Sequence, residues 1–392
     1  MDRNLKILLV AIFLFGFGFG AYFYHYPLYA KELGASPVQI GILFSLIQLW
    51  AFLVYLPGGW LAHRFELKWV MVGTWWLAAP GAIVYLLAPS WPWLILADFL
   101  VAVSFISGPA AQAYTMARAP AGREHLVFTL VYGTSFALGM VFGPLLGGFV
   151  AEAYGLRAIF YAPLVAFILS SLLVFWLQPS GGGAAGEGNL RTVLSHRGMR
   201  RLALYFSLIF LAFFLVQPFF SPLLKEVKGM DFSEIGLLGV VASMGSAVVG
   251  PFLSRIADRI GLRPALLAML GLYVGALLAL VFATGFALLA MAAFFFGTLS
   301  AVWSFSSAVV ARRLEGLPAG YAFGAFNTLR AGIALPGPLL GGLMYGVTKE
   351  LPFLVAAAAL AAIFLYTLLR PLESSGVNSA GQGARAVESE RP

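Results

Sequence analysis

Long apolar segments limit the fold of this chain more than any other feature. Twelve such segments follow one another along its 392 residues. An α-helix of about 20 apolar residues crosses the ~30 Å hydrocarbon layer of a membrane. The sequence therefore predicts an all-α membrane protein with twelve transmembrane helices. They are expected at residues 6–30, 38–62, 69–88, 92–118, 124–151, 156–177, 201–224, 234–257, 264–283, 286–311, 320–347 and 351–370.

The composition excludes several classes of protein. Charged residues make up 10% of the chain, whereas soluble domains carry about 25%. Cysteine is absent, which excludes a disulfide framework, a thiolate zinc site and a cysteine nucleophile. The sequence shows no metal-ligand cluster and no pairing of a nucleophile with a base, so we expect no metal, no cofactor and no enzyme activity.

The basic residues predict the partners and the orientation. The net charge is +8, but the basic residues are scattered, so we expect the lipid bilayer and not nucleic acid as a partner. Of the 24 lysines and arginines, 18 lie at the termini or in loops on the same side as the termini. Cytoplasmic loops carry such an excess, so both termini are expected in the cytoplasm. The arginine-rich composition favours a GC-rich bacterial source and therefore a bacterial inner membrane; we expect a monomer.

A linker divides the chain into two units of six helices. Residues 179–188 read PSGGGAAGEG, a composition typical of a flexible linker. We therefore expect a first six-helix bundle at 1–177, a cytoplasmic linker at 178–200 and a second bundle at 201–372. The polar tail at 373–392 is expected to be disordered.

The two units repeat each other. With a shift of 195, IGIL at 40–43 matches IGLL at 235–238, and AHRFELK at 62–68 matches ADRIGLR at 257–263. With a shift of 194, GPLLGG at 143–148 recurs at 337–342. Several matches at nearly one offset indicate a duplication. The fifth and eleventh predicted spans are therefore the same element.

A charged motif follows the second helix of each half. In the second half it reads SRIADRIGLR and contains Asp258, Arg259, Gly261 and Arg263. In the first half Arg64 remains, while His63 replaces the aspartate and Glu66 replaces the glycine. Together with the duplication, the motif resembles that of the major facilitator superfamily over nearly the whole chain. The resemblance implies a secondary transporter that works by alternating access between two six-helix bundles.

A glycine-rich motif in the fifth span strengthens the resemblance. It is similar to the superfamily's antiporter signature, although Leu130 replaces the leading glycine, and it consists of Gly139, Gly143, Pro144, Gly147 and Gly148. The second copy contains Gly337, Pro338, Gly341 and Gly342. In members that carry the signature, it is associated with export coupled to proton entry. The alternative is that both copies simply pack helices, since glycines four apart allow close approach.

The charged motif implies a conformational latch. Asp258 is placed to cap a neighbouring helix or to pair with Arg312. In the first half, His63 supplies no fixed negative charge, and we expect Glu66 to pair with Arg118 instead. This substitution predicts a weaker or pH-sensitive latch.

Charged residues at membrane depth are costly and are functional candidates. Arg330 lies about ten residues into the eleventh span, ~15 Å deep and close to the midplane, with Asn327 one turn before it. We expect Arg330 to serve substrate binding or coupling, because sites of this architecture lie at the midplane. The alternative is a structural arginine held by a carboxylate or by carbonyl groups.

Asp98 is the second charged candidate. It lies in the fourth span, where many exporters of the superfamily carry an arginine. A buried aspartate is suited to carrying a proton, and the alternative is a structural partner for a nearby polar group.

Other polar and aromatic residues are weaker candidates. His25 lies among tyrosines in the first span, where an interfacial position and a proton relay are both open. Gln48, Gln112 and Gln217 are candidates for lining a cavity. Trp303 belongs to the aromatic residues that would suit an amphipathic substrate.

These features predict proton-coupled efflux of a small amphipathic organic compound, with protons as the coupling ion. Uptake of an organic anion or sugar, with Arg330 binding the polar group, is an alternative. A membrane receptor or scaffold that transports nothing is an alternative from another class.

Overall fold

The computed structural model describes residues 2–120, 127–180, 197–300, 302, 306 and 319–369. Helices make up most of these residues, and no strand occurs among them. Ten helical segments of the described chain are long and apolar enough to cross a membrane. The predicted all-α membrane fold is confirmed. The predicted span at 286–311 lies partly outside the described residues.

In the first half the described α-helices form the predicted spans singly or in pairs. They are α1 (Arg3–Phe23), α2 (Tyr26–Glu32), α3 (Pro37–Arg64), α4 (Leu67–Trp75), α5 (Ala78–Leu87), α6 (Trp93–Ser104), α7 (Gly108–Arg118), α8 (Ser135–Tyr154) and α9 (Tyr161–Phe175). Short turns of 3₁₀-helix at Phe105–Ser107 and Leu156–Phe160, and of π-helix at Thr129–Thr134, extend them.

The second half follows the same order. Its described α-helices are α10 (Arg197–Val216), α11 (Phe220–Glu226), α12 (Phe232–Ile260), α13 (Leu262–Phe282), α14 (Phe286–Phe296), α15 (Ala319–Ala334), α16 (Pro336–Val347) and α17 (Leu351–Leu369). Turns of 3₁₀-helix lie at Gln217–Phe219 and Gly297–Ser300.

Prolines accompany the breaks inside three spans. The first span breaks between α1 and α2, where Pro27 lies in the first turn of α2. The seventh span breaks at a 3₁₀ turn that contains Pro218, and the eleventh breaks before Pro336. Proline has no amide hydrogen to donate to the preceding turn, so it interrupts the helix at these points.

The duplication extends to the helix caps. Ser36 and Gln39 form a capping box at the start of α3, with the amide of Ser36 donating to Oε1 of Gln39 over 2.8 Å. Asp231 and Glu234 form the equivalent box at the start of α12. Because a capping box satisfies amides that have no partner inside the helix, both second helices begin at the same place in their halves.

The helix ends form two faces of the bundle. We call the end that holds residues 32–37, 154–156 and 226–232 the distal face. We call the opposite end, which holds the N-terminal residues, the terminal face. The predicted orientation would place the terminal face in the cytoplasm.

Candidate functional site between the two halves

The first GPLLGG copy packs its own half together through α1. A β-carbon added to Gly143 would lie 2.5 Å from the carbonyl oxygen of Phe17. One added to Gly147 would collide with the carbonyl of Ala21, and Gly139 faces the same helix. Only glycine allows the backbones of α1 and α8 to approach so closely.

The remainder of the same motif contacts the other half. A β-carbon added to Gly236 of α12 would lie 2.6 Å from the carbonyl oxygen of Pro144 and 2.8 Å from Cα of Gly148. Gly236 belongs to the repeated segment IGLL. The motif therefore joins α8 both to α1 of its own half and to α12 of the other.

The second copy makes the equivalent contacts. Gly337 and Gly341 pack on α10 of their own half, near Leu211 and Leu215. On the other side of α16, a β-carbon added to Gly41 would lie 2.5 Å from the carbonyl oxygen of Pro338.

Gly342 completes this second seam. A β-carbon added to it would lie 2.5 Å from the carbonyl oxygen of Pro37 in α3. The two sequence repeats thus meet each other: each GPLLGG contacts the IGIL or IGLL segment of the opposite half. We call the α8–α12 and α3–α16 contacts the paired seams.

Polar contacts join the halves at the distal face. Nζ of Lys31 lies 2.6 Å from Oε1 of Glu226, and Nζ of Lys349 lies 2.8 Å from Oε2 of the same residue. The amide of Phe232 donates to Oε2 of Glu152 over 2.9 Å. The distal ends of the two halves are therefore held together by charge as well as by backbone packing.

His25 lies at this distal contact between the halves. The sequence suggests either a position at the membrane surface or a proton relay, and neither interpretation includes a contact between the halves. Its side chain is fully buried, and Nε2 lies 3.0 Å from the carbonyl oxygen of Phe232 in the other half. Because a carbonyl only accepts, Nε2 carries the proton and donates it. Nδ1 has no hydrogen-bond partner among the described residues. His25 is thus a contact between the halves and not a polar group at the membrane surface.

Asp98 is buried inside the first half. The hydroxyl of Tyr26 donates to Oδ2 over 2.6 Å, and the hydroxyl of Tyr85 donates to Oδ1 over 2.5 Å. Each carboxyl oxygen therefore has one tyrosine donor. Tyr22 packs beside them, with its ring centroid 5.4 Å from that of Tyr85.

Arg330 is buried in the second half, with 3% of its surface exposed. Its guanidinium carbon lies 4.4 Å from the ring centroid of Phe210 in α10, a distance suited to a cation–π contact. Phe326, one turn earlier, packs against Phe206 of the same helix. Arg330 therefore faces α10 of its own half and not lipid.

The face of α15 toward the other half carries Gly332. The side chain nearest to a β-carbon added there is Phe52 of α3, at 3.8 Å. Gly332 lies two residues after Arg330 and therefore about 200° from it around the helix axis. Arg330 thus faces its own half, while the opposite face of α15 contacts the other half.

The other cavity candidates are dispersed. Gln217 is buried in the break between α10 and α11, Gln48 is half-buried in α3, and Gln112 is exposed on α7. The side chain of Asn327 and the whole of Trp303 lie outside what the structure describes. Their role in a cavity remains a prediction.

The terminal face of the first half corrects one expectation. Arg118 pairs with Asp2, 3.2 Å from Nη1 to Oδ2, and donates to the carbonyl oxygen of Pro179 over 2.8 Å. Glu66 instead caps α4 by accepting from the amide of Trp69 over 3.2 Å. The predicted Glu66–Arg118 pair is therefore wrong, because Arg118 binds the carboxylate of Asp2 while Glu66 binds a free amide at the start of α4.

Asp2 is a charged group outside the spans whose titration is perturbed. The hydrogen bond from Asn4 lowers its pKa, and the hydrogen bond from Arg118 acts in the same direction. The negative charge at this position is therefore favoured.

The charged motif of the second half also caps a helix. Nε of Arg263 donates to the carbonyl oxygen of Thr367 over 3.0 Å, and Nη2 donates to Leu368 at the end of α17. Lys68, the equivalent residue of the first half, lies 5.5 Å from the ring centroid of Phe175 at the end of α9. In both halves the motif's last basic residue thus reaches the final helix of its bundle.

The remaining latch residues are only partly described. Gly261 has φ +105° between α12 and α13, a conformation that favours glycine. Arg64 and Arg259 are exposed. The side chains of His63 and Asp258, and the whole of Arg312, lie outside the described part of the chain, so the Asp258–Arg312 latch remains a prediction.

Known proteins resemble this chain along most of its length. The model of the Major Facilitator Superfamily matches residues 8–231 and 202–390. Multidrug resistance protein MdtG of Proteus mirabilis is 24% identical over 368 residues, which cover 88% of this chain and 90% of that protein. The MdtG protein of Salmonella typhimurium is 28% identical over 259 residues, which cover 60% of this chain and 62% of that protein.

Solved structures share the fold. The nucleoside transporter NupG superposes with a TM-score of 0.76 at 14% identity, covering 95% of this chain and 100% of that one. A bacterial homolog of the human lysosomal transporter Spinster, inward-facing and unoccupied, superposes with a TM-score of 0.68 at 18% identity, covering 94% and 93%. At these identities the likeness concerns the fold alone. With the family match, it shows that this chain belongs to the Major Facilitator Superfamily, as a multi-pass membrane transporter of small molecules and not an enzyme.

Proposed function

We propose that this protein exports small amphipathic organic compounds across a bacterial inner membrane in exchange for protons, by alternating access. The observation that carries the proton coupling is Asp98. Its carboxyl group is buried at membrane depth and is held by two neutral hydroxyl groups. A charged carboxylate in such surroundings is unfavourable compared with the neutral acid, which favours uptake of a proton at Asp98 during the transport cycle.

The paired seams supply the moving contact. In this structure the distal ends of the halves are closed against each other through Gly148, Gly236, Gly41 and Gly342. With the predicted orientation, the protein would be closed toward the outside. Export then requires these seams to separate and to form again.

The class of substrate is inferred from the relatives. The MdtG proteins carry the words multidrug resistance in their names, and aromatic side chains meet where the halves face each other. Tyr24, between α1 and α2, packs against Phe220 of α11 with ring centroids 5.8 Å apart. We assign Arg330 a role in substrate binding or coupling, with Phe210 orienting its guanidinium group.

Flux measurements on purified protein in liposomes test the proposal. An imposed pH gradient should drive fluorescent amphipathic dyes across the membrane, and proton movement should accompany them. Asp98→Asn should abolish the response to the gradient, because an amide neither gains nor loses a proton. Asp2→Asn, which removes a carboxyl group at the terminal face, is the matched control and should leave it intact.

Each other result has a definite meaning. If the protein takes up an organic anion or sugar and Arg330→Ala abolishes this uptake, the alternative function of uptake replaces the proposed export. Absence of any flux across a panel of cationic, zwitterionic and anionic compounds would favour a receptor or scaffold. A normal pH-driven flux in Asp98→Asn would remove Asp98 from the coupling.

A further inference from the structure

The short helix α2 lies between the buried acid and the contact of the two halves. It spans Tyr26–Glu32 and is separated from α1 by the break at Tyr24 and His25. This break makes α2 a separate short helix within the first span. The residues of α2 and the residue before it contact both the surroundings of Asp98 and the second half.

One side of α2 holds the surroundings of Asp98. The hydroxyl of Tyr26 donates to Oδ2 of Asp98, and the hydroxyl of Tyr29 donates to the carbonyl oxygen of Tyr85 over 2.6 Å. Tyr85 in turn donates to Oδ1 of Asp98. Two tyrosines of α2 are thus bound to the acid or to its other donor.

The residues at the two ends of α2 contact the second half. His25, which precedes α2, contacts the carbonyl oxygen of Phe232. Lys31, in its last turn, pairs with Glu226. A shift or rotation of α2 would therefore disturb two of the polar contacts that close the distal face.

Protonation of Asp98 changes what its neighbours are able to do. As a carboxylate, it accepts a hydrogen bond at each oxygen. When one oxygen takes up a proton from water, it becomes a donor, and the tyrosine hydroxyl bound there must turn its own hydrogen away and accept instead. The titratable side chains that face Asp98 among the described residues are tyrosines, on α1, α2 and α5: Tyr22, Tyr26 and Tyr85. The rings of Phe44 and Phe160 pack beside them.

We propose that Tyr26 is a positioning residue that couples the protonation of Asp98 to the opening of the distal face, with α2 as the moving part. The proposal rests on the proposed proton coupling and specifies how protonation of Asp98 affects the contacts at the distal face. Tyr85 binds the same acid equally closely but lies on α5, which packs on helices of the first half. Comparing variants of the two tyrosines therefore distinguishes hydrogen bonding to Asp98, which both provide, from coupling of its protonation to the second half, which only Tyr26 would provide.

Distance measurements across the distal face test this assignment. The chain has no cysteine, so spin labels at Pro89→Cys and Thr284→Cys, exposed in distal loops of the two halves, report the separation of the halves in full-length protein in lipid nanodiscs. The wild type should show two distances whose populations change with pH. Asp98→Asn should make the populations independent of pH.

The tyrosine variants distinguish the two roles. Tyr26→Phe and Tyr85→Phe each remove one donor to the carboxylate, so both should move the midpoint of the change to higher pH, by about one unit. Tyr85→Phe should keep the full amplitude, whereas Tyr26→Phe should lose more than half of it. Tyr205→Phe, which removes a buried hydroxyl bound to Thr367 in the second half, should change neither.

Three results would overturn the assignment. They are a wild-type distance that does not depend on pH, a Tyr26→Phe variant that keeps the full amplitude, and an equal loss of amplitude in Tyr85→Phe. If proton-driven flux in liposomes is normal while Tyr26→Phe behaves like the wild type, the role of Tyr26 fails and the proposed function stands. If flux shows no dependence on the pH gradient, the proposed function itself fails.

Discussion

Lys31 and Glu226 form an ion pair at 2.6 Å although they occupy equivalent positions of the two halves, 195 residues apart. The pair therefore lies close to the axis that relates the halves. Close to this axis, a position of the first half contacts the equivalent position of the second half. The two positions carry opposite charges, a lysine in the first half and a glutamate in the second. Lys349 binds the same carboxylate from within the second half.

The first prediction concerns this ion pair. Lys31→Met should raise the rate at which a thiol reagent reaches Val38→Cys in the α3–α16 seam by about 2- to 5-fold, because a partly exposed ion pair contributes about 1 kcal/mol or less. The rate of maleimide labelling measures the effect.

Lys349→Met is the control for that experiment. It removes the other cation bound to Glu226 but breaks no contact between the halves, so it should leave the labelling rate close to that of the parent. Equal acceleration by both variants would show that the charge of Glu226, and not the link between the halves, determines closure.

The second prediction concerns the backbone contact in the α8–α12 seam. Gly236→Ala would bring a methyl group to 2.6 Å from the carbonyl oxygen of Pro144. We expect it to destabilise the closed distal face by about 1–3 kcal/mol, the usual cost of overpacking. The populations of the two label distances described above measure this change.

A glycine with free space around it provides the comparison. Apart from the adjoining backbone of α13 itself, no atom of the described residues lies within 4 Å of a β-carbon added to Gly275. Gly275→Ala should leave the distance populations unchanged and stabilise the helix by up to about 1 kcal/mol. Unchanged populations in Gly236→Ala would show that the seam tolerates a wider spacing than the structure indicates.

The third prediction concerns the end of α17. Arg263→Ala removes two hydrogen bonds to its last carbonyl groups. We expect the melting temperature to fall by about 2–4 °C, since such a contact contributes about 1 kcal/mol. Arg259→Ala changes an exposed arginine of the same motif and should lower the melting temperature much less. Thermal unfolding in detergent measures both variants. An equal loss in the two would show that the motif acts only through its charge.

The fourth prediction follows from the lowered pKa of Asp2. A carboxyl group of this kind stabilises the fold above its unfolded pKa, 3.8, and loses that effect as the pH falls through its lower folded value. Asp2→Asn should therefore lower the melting temperature slightly at pH 7 and not at the acid end of the range. A difference that persists unchanged in acid would mean that Asp2 acts through its shape and not its charge.

The sequence predicted the membrane-spanning fold because long apolar runs leave few alternatives. It also identified the repeats that form the paired seams, but not that GPLLGG meets IGIL and IGLL, because a repeat reveals equivalence and not contact. His25 was undecided because burial at a seam depends on the other half. Glu66 was assigned the wrong partner because Arg118 pairs with Asp2 instead, and Glu66 binds a free amide at the start of α4.

Arg330 shows the same limit in the second half. Its depth in the membrane follows from counting residues, whereas its direction depends on which stripe of α15 faces α10. Opposite stripes of α15 contact different halves of the protein. A single sequence does not contain that distinction.

Transport should require the two halves to separate at the distal face. Lys31→Cys with Glu226→Cys allows a reagent with two thiol-reactive groups and a reducible linker to cross-link the halves, while Glu226→Cys with Lys349→Cys allows it to cross-link two positions of one half. The first cross-link should stop dye flux in liposomes, and reduction should restore it; the second cross-link should leave flux unchanged. Continued flux through protein cross-linked between residues 31 and 226 would contradict this requirement.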